Sequence, residues 1–138
     1  MTPTTSAPIK RAIVQLMRSN ATLKNQVDGF HEGFAPLIAA YPHVVFQLIT
    51  PDYSYPWGSA MIYLEVDVKA WSKNSVEADN LDALLNSTLN DASLSVEGQS
   101  TLICRRVRDL TDQDTDEEGN KIYMAGGSYE IVTDQPNS

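Results

Sequence analysis

The sequence predicts an α+β fold: a single four-stranded sheet, mixed or antiparallel, with two main helices packed on it. Two stretches carry this reading. Residues 60–71 alternate, with Ile62, Leu64, Val66, Val68 and Ala70 on one face and Tyr63, Glu65, Asp67 and Lys69 on the other. A period of two over this length marks a strand with one buried face. Directly after it, Asn74 opens a helical pattern with Glu77 three positions on, the spacing of a capping box. Helices with one apolar stripe need a common surface to cover. Strands that alternate leave their other face wet or occupied by a neighbour.

The elements follow in order. Residues 1–7 are rich in Thr, Ser and Pro and read as a loose arm. A first helix is expected over Pro8 to Lys24, with Ser6 as its cap and Pro8 tolerated in its first turn. Ile9, Ala12, Ile13, Leu16 and Met17 form its apolar face, which Leu23 and Val27 extend. Asp28-Gly29 and Gly33 break the pattern, and Phe30, Phe34, Ala35 and Pro36 read as an extended lead-in. Strand one begins after Pro42 and runs to Ile49. Thr50 to Ser59 is a turn-rich loop, and 60–71 is strand two. The second helix covers about Ser75 to Asp91, with Val76, Leu81, Leu84, Leu85 and Leu89 on its apolar side. Residues 99–109 make strand three and 121–133 strand four, with Gly126-Gly127 marking a bulge or bend. An acidic loop, 110–120, joins these two strands. Residues 134–138 are a tail, and no internal repeat or domain boundary interrupts a single domain over 1–138. The helical crossover between strands two and three leaves their relative direction open.

A chain of 138 residues is about one domain with one core. Its net charge of −8 argues against a surface that grips nucleic acid. The charge is unevenly spread. Lys10, Arg11, Arg18 and Lys24 precede the first acid, Asp28, while Asp109, Asp112, Asp114, Asp116, Glu117 and Glu118 crowd a short run. That polarity suits head-to-tail contact between copies, and equally two solvated faces. One cysteine, Cys104, excludes an internal disulfide and reads as a small apolar filler. No run approaches the length of a membrane span, so a soluble protein made in a reducing cytoplasm is expected, with no membrane partner.

Little in the sequence suggests catalysis. His31 and His43 lack a second ligand at metal spacing, and Cys104 has no activating partner. No nucleophile elbow or phosphate loop is present. Asp112, Asp114 and Asp116 imitate the early ligands of a calcium loop, but Glu117 stands where the sharp turn needs Gly and Tyr123 where the bidentate Glu belongs. A mobile, solvated hairpin loop without metal is the expectation. No cofactor is expected. The loop 51–58 carries Tyr53, Tyr55 and Trp57, aromatics that are costly to leave wet. They suit an interface hot spot, or a cover over the end of the sheet. Trp71, at the end of strand two, is expected to cap the core.

The order of these pieces carries a resemblance. Ile9 to Met17, Val27-Asp-Gly, Phe34-Ala-Pro36, Tyr41-Pro-His-Val-Val-Phe-Gln-Leu-Ile49, Tyr63-Leu-Glu-Val-Asp-Val-Lys-Ala-Trp71, Val76-Glu77-Ala78 and Tyr129-Glu-Ile-Val132 together resemble the tail terminator, or tail completion, family of long-tailed bacteriophages. That group includes head–tail joining and minor tail proteins, and the resemblance spans about residues 8–133. It implies a non-enzymatic virion component that assembles in the host cytoplasm and sits in the neck region of the tail. Such proteins form a homo-oligomeric ring, typically a hexamer, on the head-proximal end of the tail tube. The ring stops tube growth and docks to the neck or head-completion protein. DNA passes through the lumen without specific binding, and an acidic lumen would help it slide. Glu65, Asp67, Asp112, Asp114, Asp116, Glu117 and Glu118 are the candidate lumen or interface acids, and Tyr53, Tyr55 and Trp57 the candidate subunit or tube contacts. Two alternatives stand beside this: a head-completion or neck adaptor on the portal side, and a small ligand-binding or enzymatic α+β domain.

Overall fold

From Leu64 on, the expected alternation becomes a strand with every second side chain buried, and the rest of the fold is arranged around it. The computed structural model describes residues 6–35, 40–49, 64–94 and 102–133. Along the chain these form α1 (Ser6–Ser19), α2 (Ala21–Gln26), β1 (Phe30–Glu32), β2 (His43–Ile49), β3 (Leu64–Ser72), α3 (Ser75–Leu89), β4 (Ala92–Leu94), β5 (Leu102–Thr115) and β6 (Lys121–Thr133). The strands make one mixed sheet in the order β1-β2-β3-β6-β5-β4. Only the β1–β2 pair among them is parallel.

The expected four-stranded sheet with two helices is therefore corrected to six strands and three helices among the described residues. The two additional strands, β1 and β4, are three residues each, too short for a period of two to register in sequence. Phe30–Glu32, expected as a lead-in, pairs with Val44–Phe46. Ala92–Leu94 pairs with Leu102–Cys104. The third helix comes from division of the first. Asn20 leaves helical geometry at φ −84°, ψ 102°, and its side chain accepts from Leu23 N to cap α2. Ser6, expected as a cap, lies inside α1. The open question of direction is also answered. β3 and β5 each pair antiparallel with β6, so they run the same way with β6 between them.

The core lies on one side of the sheet. Ile9, Ile13, Met17 and Leu23 from α1 and α2 meet Leu81, Leu85 and Leu89 from α3. Beneath them lie Val44, Phe46, Leu64, Val66, Val68, Ala70, Leu102, Cys104, Tyr129 and Ile131. Val76, expected on the apolar stripe of α3, is 64% exposed, and Ala78 is buried in its place. Val76 falls in the first turn, before the helix settles over β3 and β6. Burial pushes the Cys104 thiol up to about 12, which fits its reading as a filler.

The start of α3 is a variant of the expected capping box. Asn74 Oδ1 accepts from Glu77 N at 3.0 Å, but the Glu77 carboxylate does not return to Asn74. It accepts from Ser72 Oγ, which itself accepts from Asn74 N at 3.0 Å. The last residue of β3 thus relays the second half of the box, fixing where strand ends and helix begins.

A part-buried ion pair ties α3 to the hairpin of β5 and β6. Arg106 Nη1 and Nη2 donate to the two carboxylate oxygens of Asp82, both at 2.8 Å. Nη2 also donates to Gly126 O at 2.7 Å, Nη1 lies 3.2 Å from Tyr129 Oη, and Nε donates to Asp109 at 2.9 Å. The Arg106 side chain is 14% exposed and that of Asp82 18%. The hydrogen bonds that Arg106 donates to Asp82 raise its pKa further above the ordinary value. Burial pushes the Tyr129 phenol up to about 12 against the pull of the guanidinium.

The register shift that admits this arginine lies at Val107, between Arg106 and Arg108, and not at Gly126-Gly127 as expected. A bulge inserts one unpaired residue. Arg106 and Arg108 would otherwise share a face; here Arg106 turns to the helices and Arg108 away from them. The two glycines serve close approach. A Cβ on Gly126 would stand 2.1 Å from Val68 O, and one on Gly127 would stand 2.7 Å from the Arg106 guanidinium.

Candidate functional site

The side of the sheet away from the helices is the surface the core does not use. Cross-strand partners share a face, so the register defines it. On β3 it presents Glu65, Asp67, Lys69 and Trp71; opposite these β2 places Ile49, Gln47, Val45 and His43, and β6 places Glu130, Ser128, Gly126 and Met124. β5 adds Arg105, Arg108, Leu110, Asp112 and Asp114. Acids outnumber bases on this surface.

Two of the candidate acids on it are held within the chain. Arg108 Nη2 forms an ion pair with Glu65 and lies 3.4 Å from Ser128 Oγ. Ser128 Oγ in turn donates to Asp67 at 2.6 Å. Three adjacent strands are thereby stitched by one polar line. Its sequence signature was visible only for β3: nothing in the chain marks that a bulge would bring Arg108 across to Glu65.

At one end this face turns aromatic. His43, Trp71 and Met124 lie in one cross-strand row. Trp71 is thus on the face away from the helices, which corrects its expected place over the core. The His31 and His43 rings meet edge to face at 5.7 Å, and Tyr41 lies on His43 at 4.7 Å. His43 Nδ1 is 3.1 Å from the carbonyl oxygen of Ala40, an acceptor that selects the Nδ1–H tautomer. Burial lowers the His43 pKa from its ordinary value. Burial also raises that of Tyr41, with the negative charges of Asp116 and Asp114 adding to it, so the acidic hairpin reaches this end of the sheet.

The acidic stretch differs from its expectation. Leu110–Thr115, expected as loop, belong to β5 and pair with Gly126–Lys121. The turn is confined to 116–120. The Asp116 carboxylate accepts from Glu118 N at 3.0 Å and Asn120 N at 2.8 Å, and Gly119 takes φ +85°, a left-handed conformation that suits glycine. Asp112 and Asp114 accept from the N–H groups of Gln113 and Thr115. Glu117 and Glu118 stand exposed at the tip. Among the described residues no group of three or more His, Cys, Asp and Glu side chains is placed to hold a metal. Asp116→Ala is expected to cost about 1 kcal/mol through its two lost hydrogen bonds. Thermal melting checks the cost, and faster amide exchange at Glu118 and Asn120 checks its location.

Of the candidate site residues, Glu65, Asp67, Asp112 and Asp114 therefore share the helix-free face, Asp116 organises a turn, and Glu117 and Glu118 mark its tip. Tyr53, Tyr55 and Trp57 lie outside the described residues.

Neither a family model nor a curated protein matches the sequence. Solved structures do match the fold. A chain from the virion of a native gene transfer agent (GTA) particle superposes with a TM-score of 0.70 and 16% identity, covering 90% of this chain and 93% of that one. The bacteriophage SPP1 gp17 protein superposes with a TM-score of 0.59 and 20% identity, covering 96% of this chain and 93% of that one. The fold of this chain is thus one found in phage and gene-transfer-agent proteins, including a virion component.

Proposed function

We propose that this chain is a non-enzymatic structural protein of a phage-type virion, a tail terminator. Copies close into a ring, a hexamer, on the head-proximal end of the tail tube. There the ring ends tube growth and presents the docking surface for the neck. The observation that carries the reading is the likeness of fold, over nine-tenths or more of each chain, to a gene-transfer-agent virion protein and a phage protein. The helix-free face supports it. In a closed ring this face lines the lumen, with Glu65, Asp67, Asp112 and Asp114 on it. Its surplus of acid repels phosphate, and DNA passes without the Lys and Arg contacts that would hold it.

The test is the state of the protein on assembled tails. Rings at the head-proximal end in electron micrographs, with several copies per tail, are the expected result. A single copy per tail, or absence from particles, overturns the reading. Binding to filled heads without capping tails moves the protein to the portal side as a neck adaptor.

The aromatic loop supplies the contact with a neighbouring subunit or the tail tube. Large rings contribute binding energy with few rotamers to freeze. Trp57, between Pro56 and Gly58, is the chosen anchor. Trp57→Ala is expected to weaken assembly on purified tubes by about 2 kcal/mol, as for a hot spot, while the monomer melts unchanged. A variant whose melting falls by several kcal/mol places the loop over the core, and one that alters neither property removes Trp57 from the interface.

A further inference from the structure

We propose that the groove between α1 and the β1–β2 edge receives the acidic β5–β6 hairpin of a second copy of this chain, joining copies head to tail. The inference rests on the ring reading and names the surfaces that close the ring.

The groove has a volume of about 330 Å³. Lys10, Arg11 and Arg18 line it together with Val14, Phe46 and Glu32. Lys10 forms an ion pair with Glu32, which neutralises the one acid there. Arg11 and Arg18 are exposed and, among the described residues, have no ion-pair partner. The groove is therefore a cationic surface with an apolar floor and two unspent guanidinium groups. A guanidinium is best satisfied by carboxylates, which it can engage through paired N–H bonds.

The occupant is found on the same chain. The hairpin carries exposed Glu117 and Glu118 at its tip, while Asp112 and Asp114 stay on the helix-free face. No ion pair joins it to the groove within one chain among the described residues. Sheet order puts the two surfaces at opposite sides: the groove borders β1, the first strand, while β5 beyond Cys104 has no strand on its outer side among the described residues. Complementary patches on opposite sides are what a heterologous contact needs, and such contacts close into rings when the rotation per subunit fits.

The hairpin also disfavours the other obvious mode of contact, addition of a strand to the β5 edge. Asp112 and Asp114 already take the N–H groups of Gln113 and Thr115. Acids on an open edge are a known guard against indiscriminate pairing. What the hairpin offers a neighbour is charge, and its contact weakens as salt rises.

The experiment uses tails assembled with chains altered at both surfaces. Arg18→Cys with Glu118→Cys, oxidised on the particle, is expected to give a ladder of cross-linked multimers ending at the ring number. Cys104 does not compete, being fully buried. A second set reverses charge: Arg11→Glu with Arg18→Glu, and Glu117→Lys with Glu118→Lys, each expected to lower ring yield at least about tenfold, and the four together to restore it. Rings that form without a ladder, and that tolerate both reversals, overturn the groove contact and leave the ring standing. Reversals that reduce rings without rescue by the combination overturn the pairing of these two surfaces. Wild-type tails without a ring overturn the ring reading, and this contact with it.

Discussion

Arg106→Ala is expected to destabilise the fold by about 3 kcal/mol, because it leaves a nearly buried carboxylate without its partner. The Asp82 side chain is 18% exposed and accepts two bonds from Arg106. The substitution also removes the donor to Gly126 O, a backbone group that no solvent-facing arrangement replaces cheaply. Asp82→Ala is expected to cost less, since Arg106 retains Gly126 O, Tyr129 and Asp109. Urea unfolding of the two single variants and the double variant measures the difference. A coupling energy above about 1 kcal/mol is the expected result for groups in direct contact. A loss below that figure in Arg106→Ala would show that water reaches the pair and that the hairpin is held by its ladder alone.

How far the sequence reached can be judged from this same region. β3 was legible to the residue over Leu64–Ala70, because one face is buried and a period of two is hard to imitate. The start of α3 was legible from Asn74 and Glu77, since capping depends on residues close in sequence. What failed depended on distant partners. Leu110–Thr115 looked like a solvated loop because its apolar content is low. It is a strand because β6 offers it a ladder, and pairing there outweighs composition. β1 and β4 were missed for the same reason, each existing only through a neighbour.

The face of β3 was legible by alternation, but what meets it was not. Glu65 and Asp67 were placed on the exposed face of their strand correctly by alternation. That Arg108 and Ser128 would meet them needed the order β3-β6-β5 and the shift at Val107, neither of which leaves a mark in the sequence. The same shift explains why Arg106 and Arg108, two positions apart, do unlike work. Gly126-Gly127 was read as a bend because paired glycines in a strand often mark one. The bend is on the partner strand, and the glycines mark crowding.

Gly126→Ala is accordingly expected to cost about 3 kcal/mol or more, as an overpacking change with no soft neighbour. Its Cβ would stand 2.1 Å from Val68 O, 2.9 Å from Lys69 Cα and 3.0 Å from Val68 C, all backbone of the adjoining strand. Relief requires β3 and β6 to part where the sheet is most central. Gly127→Ala offers a control. The atoms nearest its Cβ would be the end of the Arg106 side chain, at 2.7 Å from Cζ and Nε. That group can move, but only by leaving Asp82 and Gly126 O. The two substitutions should therefore respond differently to Arg106→Ala. In that background the cost of Gly127→Ala should vanish, and alanine should even gain the roughly 0.5–1 kcal/mol that glycine loses in a strand interior. The cost of Gly126→Ala should persist undiminished, since the obstacle is backbone. Denaturant unfolding of the paired variants decides the matter. If Gly126→Ala cannot be purified folded, its failure in both backgrounds, beside a folded Gly127→Ala, gives the same answer. A Gly126→Ala protein as stable as the parent would mean that β3 and β6 lie farther apart than this geometry allows.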